Sequence, residues 1–299
     1  EGIKPVTGNK SYKIETEEID MEWKEKKKVI PTIANLEKVP PKKDSHSAVV
    51  KNENTILIYG GTDNLSRISG EGIIYELCLG EKEFEWTHKI IEKEKLKDRM
   101  GHQMSILKNK LYIVGGKSIN VREMNKMFKE IWEVDIEKNT AQKKKDPMKA
   151  IVNHVQFLHK NSIYVFGGKD ENGYSNDMMV YDISKDIWEL KKPMQNIVPE
   201  PREAAAIANI SKDHILLFGG WGKGGAKGDV WLYNILKNEW RELKKNVKQP
   251  RYGHTLNYIE SSNQKKGCII IGGKNTEFQW IKQAEFINLE EIDEETSFT

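Results

Sequence analysis

The sequence predicts an all-β fold built from copies of one four-stranded antiparallel sheet, packed face to face around an axis. Three observations carry that prediction. A Gly-Gly pair closes a short apolar run five times, at Gly60-Gly61, Gly115-Gly116, Gly167-Gly168, Gly219-Gly220 and Gly272-Gly273. The first glycines of successive pairs stand 55, 52, 52 and 53 residues apart, and a fixed period near 50 marks a repeat architecture. Downstream of the pair, a Tyr-to-Trp gap of seven residues recurs, Tyr181 to Trp188 and Tyr233 to Trp240. One such sheet cannot bury both faces alone, so the copies must stack.

The first strand of each repeat follows a turn that ends in a histidine slot. His46, His102, His154 and His254 fill it, and Ala205 takes it in the fourth copy. A polar turn such as Lys108-Asn109-Lys110 leads to the second strand, which runs into the Gly-Gly pair. Glycine there permits positive φ and close backbone approach near a crowded axis. A variable loop leads to the third strand, at 73–77, 131–135, 178–182, 230–234 and 284–288. The fourth strand carries Trp86, Trp188 and Trp240, with Ala141 in that slot of the second copy. The Tyr and Trp are expected to fill the wedge between neighbouring sheets, which widens away from the axis.

This pattern resembles the kelch repeat, and the resemblance covers residues 44–290. It implies a kelch-type β-propeller. Six blades are expected: five from the clear repeats and a degenerate one from residues 1–30. There Tyr12-Lys13-Ile14-Glu15 and Met21-Glu22-Trp23-Lys24 read as a third strand and a Trp-bearing fourth. The alternative is five blades, with the Trp23 strand completing the last repeat. Residues 1–299 read as one propeller domain, and the missing initiator Met suggests a piece of a longer protein.

Composition bounds the function classes. Charged residues make up 31% and hydrophobic residues 37% of the 299, which suits thin sheets with much exposed edge. A net charge of +3, from 48 basic and 45 acidic side chains, gives no electrostatic footprint for nucleic acid. No apolar stretch approaches the ~20 residues of a membrane-spanning helix, and the start is not a secretory signal. Cys78 and Cys268 sit in apolar strand-like runs, so they read as buried reduced thiols. A cytoplasmic or nuclear location is the expectation.

The histidines are best read structurally, each bonding turn backbone at the head of its first strand. Arg99, Arg202 and Arg251 stand three residues before that slot. They either brace the blades or point from the fourth-to-first strand loops towards a ligand, and both readings stay open. The kelch resemblance implies that these loops and the second-to-third strand loops project from one face. The residues after the Gly-Gly pairs are Thr62, Lys117, Lys169, Trp221 and Lys274, with Arg67, Arg122, Lys223 and Trp280 further along the same loops. Converging lysines would focus a positive potential, and the tryptophans are the residue type that anchors interfaces. The insertion 117–129 carries Met124, Met127 and Phe128 at helix-compatible spacing, and a short helix is expected there.

The expected function is therefore a non-catalytic protein-interaction module without a cofactor. It would bind an acidic or phosphorylated peptide, or an acidic partner surface, at that loop face. Neither Trp221–Gly228 nor Gly116-Lys117-Ser118 meets the spacing of a nucleotide loop. Glu94, Asp98 and His102 form a Glu-x3-Asp-x3-His triplet, similar to the iron-binding loop of kelch-type specifier proteins. An iron-dependent lyase, or an isomerase, using the same face is the competing class.

Overall fold

The computed structural model describes residues 16–19, 32–34, 39–62, 72–80, 83–92, 96–120, 123, 126–193, 197–244, 249–260 and 266–289. Its regular elements are β-strands, and they form two compact units.

The larger unit, residues 22–205 with 221–224, holds three sheets of four or more strands among its described residues. The first runs Ser47–Asn52, Thr55–Tyr59, Ile73–Leu79 and Glu83–Ile90, with Thr32–Ala34 added in parallel to the last. The second comprises Gln103–Leu107, Lys110–Val114, Ile131–Asp135 and Thr140–Lys143, and the third Val155–His159, Ser162–Phe166, Met178–Asp182 and Ile187–Lys191. The smaller unit, residues 1–21, 206–220 and 225–299, holds two. One is Ala206–Asn209, His214–Phe218, Val230–Asn234 and Glu239–Lys244. The other is Thr255–Glu260, Lys266–Ile271 and Ala284–Asn288, with Thr16–Ile19 paired antiparallel to the last.

Five blade sheets thus stand among the described residues. Residues 16–19, counted from sequence towards a sixth blade, are here the fourth strand of the sheet that carries the fifth Gly-Gly pair. The segments around Tyr12 and Trp23 lie outside the described residues.

Period-2 alternation explains how thin sheets make a core. In the second repeat, Leu111 and Ile113 of one strand pack with Leu57, Tyr59 and Ile74 of the first repeat. Their neighbours Tyr112 and Val114 point the other way, onto Ile163, Val165 and Met179 of the third. Both faces are buried, which is why these strands read as unbroken apolar runs. In the smaller unit, Leu216, Phe218 and Leu232 meet Leu256, Cys268 and Ile270 in the same manner. Both cysteines are free, and burial pushes the Cys268 thiol up to about 12.

The Tyr–Trp spacing is a cross-strand pair. Tyr181 lies opposite Trp188 with ring centroids 5.1 Å apart, and Tyr233 opposite Trp240 at 4.7 Å. Each tyrosine hydroxyl then donates to the turn residue between the strands, Asp186 at 2.6 Å or Asn238 at 2.8 Å. Both turn residues are left-handed, at φ 55° and 53°. In the second repeat Val134 lies opposite Ala141, so both members of the pair change together.

Of the short helix expected within 117–129, the described residues show a 3-10 turn at Glu123, whose amide donates to the Asn120 carbonyl and whose own carbonyl accepts from the Lys126 amide, both at 2.9 Å. Lys117–Ser118 is a short strand, Met127 bridges back to Lys117, and Phe128 is buried with its amide donating to the Gly116 carbonyl. The Arg99 guanidinium sits 4.4 Å from the Phe128 ring. Burying Phe128 against a cation fixes an extended path after that turn.

Candidate binding surface

In all five repeats the residue after the Gly-Gly pair is β-bridged to the residue two before the histidine slot. The pairs are Thr62 with Asp44, Lys117 with Met100, Lys169 with Val152, Trp221 with Glu203 and Lys274 with Tyr252. The two sets of loops are therefore zipped side by side within each repeat. In the larger unit a second series links one repeat to the next. Gly101 N–H donates to Ser45 O, Asn153 to Gly101 and Ala204 to Asn153, at 3.0, 2.7 and 2.8 Å. All four residues are left-handed, with φ between 52° and 65°. Gly and Asn at this slot were a readable signal for that conformation; Ser45 and Ala204 were not.

The Gly-Gly pair is the third link, shown by the third copy. Gly167 and Gly168 have φ of 70° and 87°. A Cβ on Gly167 would stand 2.8 Å from the Arg202 carbonyl, and one on Gly168 would stand 2.9 Å from His154 Cβ. The Gly168 amide donates to that same Arg202 carbonyl at 2.7 Å. Gly61 donates to Arg99 and Gly220 to Arg251 in the same way, at 2.8 and 2.9 Å.

The three arginines are thereby placed, and the ligand-facing assignment is corrected. Arg99, Arg202 and Arg251 are buried, at 0%, 1% and 0% exposure. Each Nε donates to the carbonyl two residues upstream, on Lys97, Glu200 and Gln249. Arg99 Nη1 reaches the Gly115 carbonyl at 2.9 Å, and Arg251 Nη1 the Gly272 carbonyl at 3.1 Å. Their outer nitrogens pair with Glu130 and Glu285. Arg99 and Arg251 thus clamp the glycine turn of their own repeat, and all three side chains are buried away from solvent. The third repeat has Ile151 in the arginine slot. There Lys149 pairs with Asp170 and Asp177, at 2.8 and 2.6 Å.

The histidines are structural, but not through turn backbone. His102, His154 and His254 are buried, and their ring nitrogens have no partner of normal hydrogen-bond geometry. Edge contacts hold the rings instead: His102 with Tyr59 at 5.2 Å and His254 with Phe218 at 4.9 Å. Burial is the main cause that pushes His154 to about 4 and His254 to about 3. It also holds His102 well below the ordinary value, with the Arg99 charge adding to it. His46 is exposed.

The remaining expected residues stay at or near the surface. In the larger unit Lys169 and Lys223 are exposed, and Lys117 and Trp221 half-buried. Lys169 Nζ lies 5.7 Å from the Tyr174 ring, a neighbour the sequence did not single out. In the smaller unit Lys274 Nζ sits 4.2 Å from the ring of Trp280, which is 70% exposed. Two residues from Trp280, Phe278 is 63% exposed and left-handed at φ 63°. Arg67, Arg122 and Glu94 lie outside the described residues. Among the described residues, no group of three or more His, Cys, Asp or Glu side chains could hold a metal ion. No helix there is long and apolar enough to cross a membrane.

The comparisons with known proteins agree with this repeat. Residues 139–291 match the KLHDC2/KLHL20/DRC7 Kelch-repeats domain, and residues 71–202 match the Attractin/LZTR1 beta-propeller. Kelch domain-containing protein 2 of Bos taurus is 34% identical over 38% of this chain and 27% of its own length. An N-(sulfonatooxy)prop-2-enimidothioate sulfolyase of Thlaspi arvense is 26% identical over 48% of this chain and 44% of its own. The chain thus spans less than half the length of either relative. The solved structure of YjhT matches with a TM-score of 0.60 at 15% identity, covering 86% of this chain and 96% of that one, which bears on fold alone. With the first family match spanning just over half of it, the chain belongs to the Kelch-repeat family of β-propellers.

Proposed function

We propose that this propeller is a protein-interaction module whose Gly-Gly loops take an acidic or phosphorylated peptide or partner surface. The observation that carries the reading is the pairing state of the lysines. Lys97, Lys110, Lys126, Lys143, Lys149 and Lys185 each have a carboxylate within ion-pair distance. Lys117, Lys169 and Lys274, which follow three of the Gly-Gly pairs, have none among the described residues. Cations left unpaired beside rigidly bridged backbone are available to phosphate or carboxylate. Lys223, Trp221 and Trp280 belong to the same reading as flanking contacts, and Arg99, Arg202 and Arg251 drop out of it. An array of acidic and phosphorylated peptides tests it. Charge reversal of Lys117, Lys169 and Lys274 to Glu should weaken capture at least about tenfold, with the melting temperature unchanged. Capture that survives the reversal refutes the basic-surface reading.

The likeness to a sulfolyase gives a second reading, a metal-dependent lyase on the same loops. Its candidate ligands fit poorly: His102 has no exposure and its ring is spent on packing against Tyr59, and Asp98 is buried as well. Metal analysis of the purified chain separates the readings. One iron per chain, lost in Glu94→Ala, would establish the lyase; the expected outcome is no stoichiometric iron.

A further inference from the structure

The loop after the third Gly-Gly pair turns back on itself at Asn172-Gly173, the one Asn-Gly step in the sequence. Lys169–Asp170 pairs antiparallel with Gly173–Tyr174, which leaves Glu171 and Asn172 as the tip of the hairpin. The entry to the tip is anchored. Asp170 is buried, pairs with Lys149 at 2.8 Å and accepts the Asn172 backbone amide at 2.7 Å. The tip itself is open. Glu171 and Asn172 are exposed, and a Cβ on Gly173 would meet no heavy atom within 4 Å. Asparagine in a turn commonly spends its side-chain amide on nearby backbone. That of Asn172 has no hydrogen-bond partner among the described residues.

We infer that Asn172 is a site of spontaneous deamidation, which converts it to aspartate or isoaspartate beside Lys169. The Gly173 nitrogen attacks the side-chain carbonyl carbon of Asn172. The new C–N bond closes a five-membered succinimide, the bond to the side-chain nitrogen breaks, and ammonia leaves with the proton that the Gly173 nitrogen gives up. Water then adds to either ring carbonyl and opens the ring. One product keeps the normal backbone, and the other runs through the side-chain carbon. Amide and water become carboxylate and ammonium, with no oxidant or reductant. Glycine suits the attacking position, because it has no Cβ to crowd the ring and moves between backbone conformations at low cost. Gly173 stands at φ 120°. The attack requires Asn172 to rotate out of the turn, and an exposed tip with few packing contacts opens locally at a small cost in free energy.

The position of the tip gives the modification a consequence. Either product replaces a neutral side chain by a carboxylate on the loop that carries Lys169. Tyr174, the residue after Gly173, lies opposite Lys169 across the hairpin, and its ring is 5.7 Å from Lys169 Nζ. A carboxylate at residue 172 competes for that ammonium with any acidic ligand. Isoaspartate adds a methylene to the backbone between the two short strands and so shifts Tyr174 against Lys169 as well. The loss of positive charge rests on the basic-loop reading above; the deamidation itself does not.

The test incubates the 299-residue chain at pH 6 and pH 8, folded and in urea, and follows its peptides by mass spectrometry. Residue 172 is expected to gain about one dalton, faster than any other asparagine of the folded chain and within about tenfold of the rate in urea. The rate should rise at pH 8, because the attacking nitrogen must lose its proton. Isoaspartate should be detected by labelling with isoaspartyl methyltransferase. Asn172→Gln should resist, since its six-membered ring closes more slowly, and its melt should match the parent's because the side chain is exposed. An Asn172 that stays intact in the folded chain while the urea sample reacts overturns the site. So does aspartate without isoaspartate, which bypasses the succinimide. Asn172→Asp and the aged chain should both capture acidic peptides several-fold more weakly than fresh protein, and aged Asn172→Gln should not. Equal capture by Asn172→Asp overturns the charge effect and leaves the modification standing. Fresh protein that captures no acidic peptide refutes the basic-loop reading alone.

Discussion

Arg251 uses its whole guanidinium inside the fold. Nε donates to the Gln249 carbonyl, Nη1 to the carbonyls of Gly272 and Gln283, and Nη2 pairs with buried Glu285. Lysine could not reproduce this, because the bonds need donors fixed in a planar fork. Its loss would leave Glu285, 1% exposed, as an uncompensated buried charge. Arg251→Met is therefore expected to cost about 3–5 kcal/mol, and Arg251→Met with Glu285→Leu to recover most of it. Urea denaturation measures both, and a single-variant loss under about 1 kcal/mol would contradict the clamp. Arg99, Arg202 and Arg251 share a slot in the repeat, but the slot alone carries no direction. A repeat fixes which residues are equivalent; only packing decides whether an arginine there turns inward to the glycine carbonyls or outward to solvent.

At the level of strands and loops, the legible features were those with a local cause. The Gly-Gly pair showed because every copy is left-handed and, in the first four, a Cβ on the first glycine would meet the next repeat. The second strands showed because burial on both faces demands an unbroken apolar run. The Tyr–Trp spacing showed because a five-residue hairpin register puts residue 181 opposite 188. What depended on distant partners was hidden. Nothing near Thr16–Ile19 says that it pairs with Ala284–Asn288, since that contact joins opposite ends of the chain. The helical turn at Glu123 stops short of Met127 and Phe128, where Phe128 packs against Arg99. In the fifth-repeat loop Trp280 was visible as an aromatic after a Gly-Gly pair.

For the chain as a whole, the buried histidines make acid sensitivity a summed property of the repeats. An unfolded histidine titrates near 6.5, whereas His154 and His254 are pushed to about 4 and about 3, and His102 lies well below the ordinary value. Between those limits the unfolded chain binds protons that the folded chain refuses. Stability is therefore fully present above about pH 6.5 and falls as the pH drops towards the folded values. From pH 7 to pH 5, His154 and His254 each remove about 2 kcal/mol, a large share of the roughly 5–15 kcal/mol typical of a domain. Carboxylates whose folded values are depressed, such as Asp135 at about 2 and Glu130, destabilise with the same sign but mainly below that window. Urea midpoints measured at pH 7 and pH 5 should thus fall steeply. His154→Leu should flatten the fall of the unit holding residues 22–205, and His254→Leu that of the other, by about 2 kcal/mol each. A parent chain whose stability is level across that interval would show that the imidazoles accept protons in the folded state, and that the packing around Tyr59 and Phe218 opens to water.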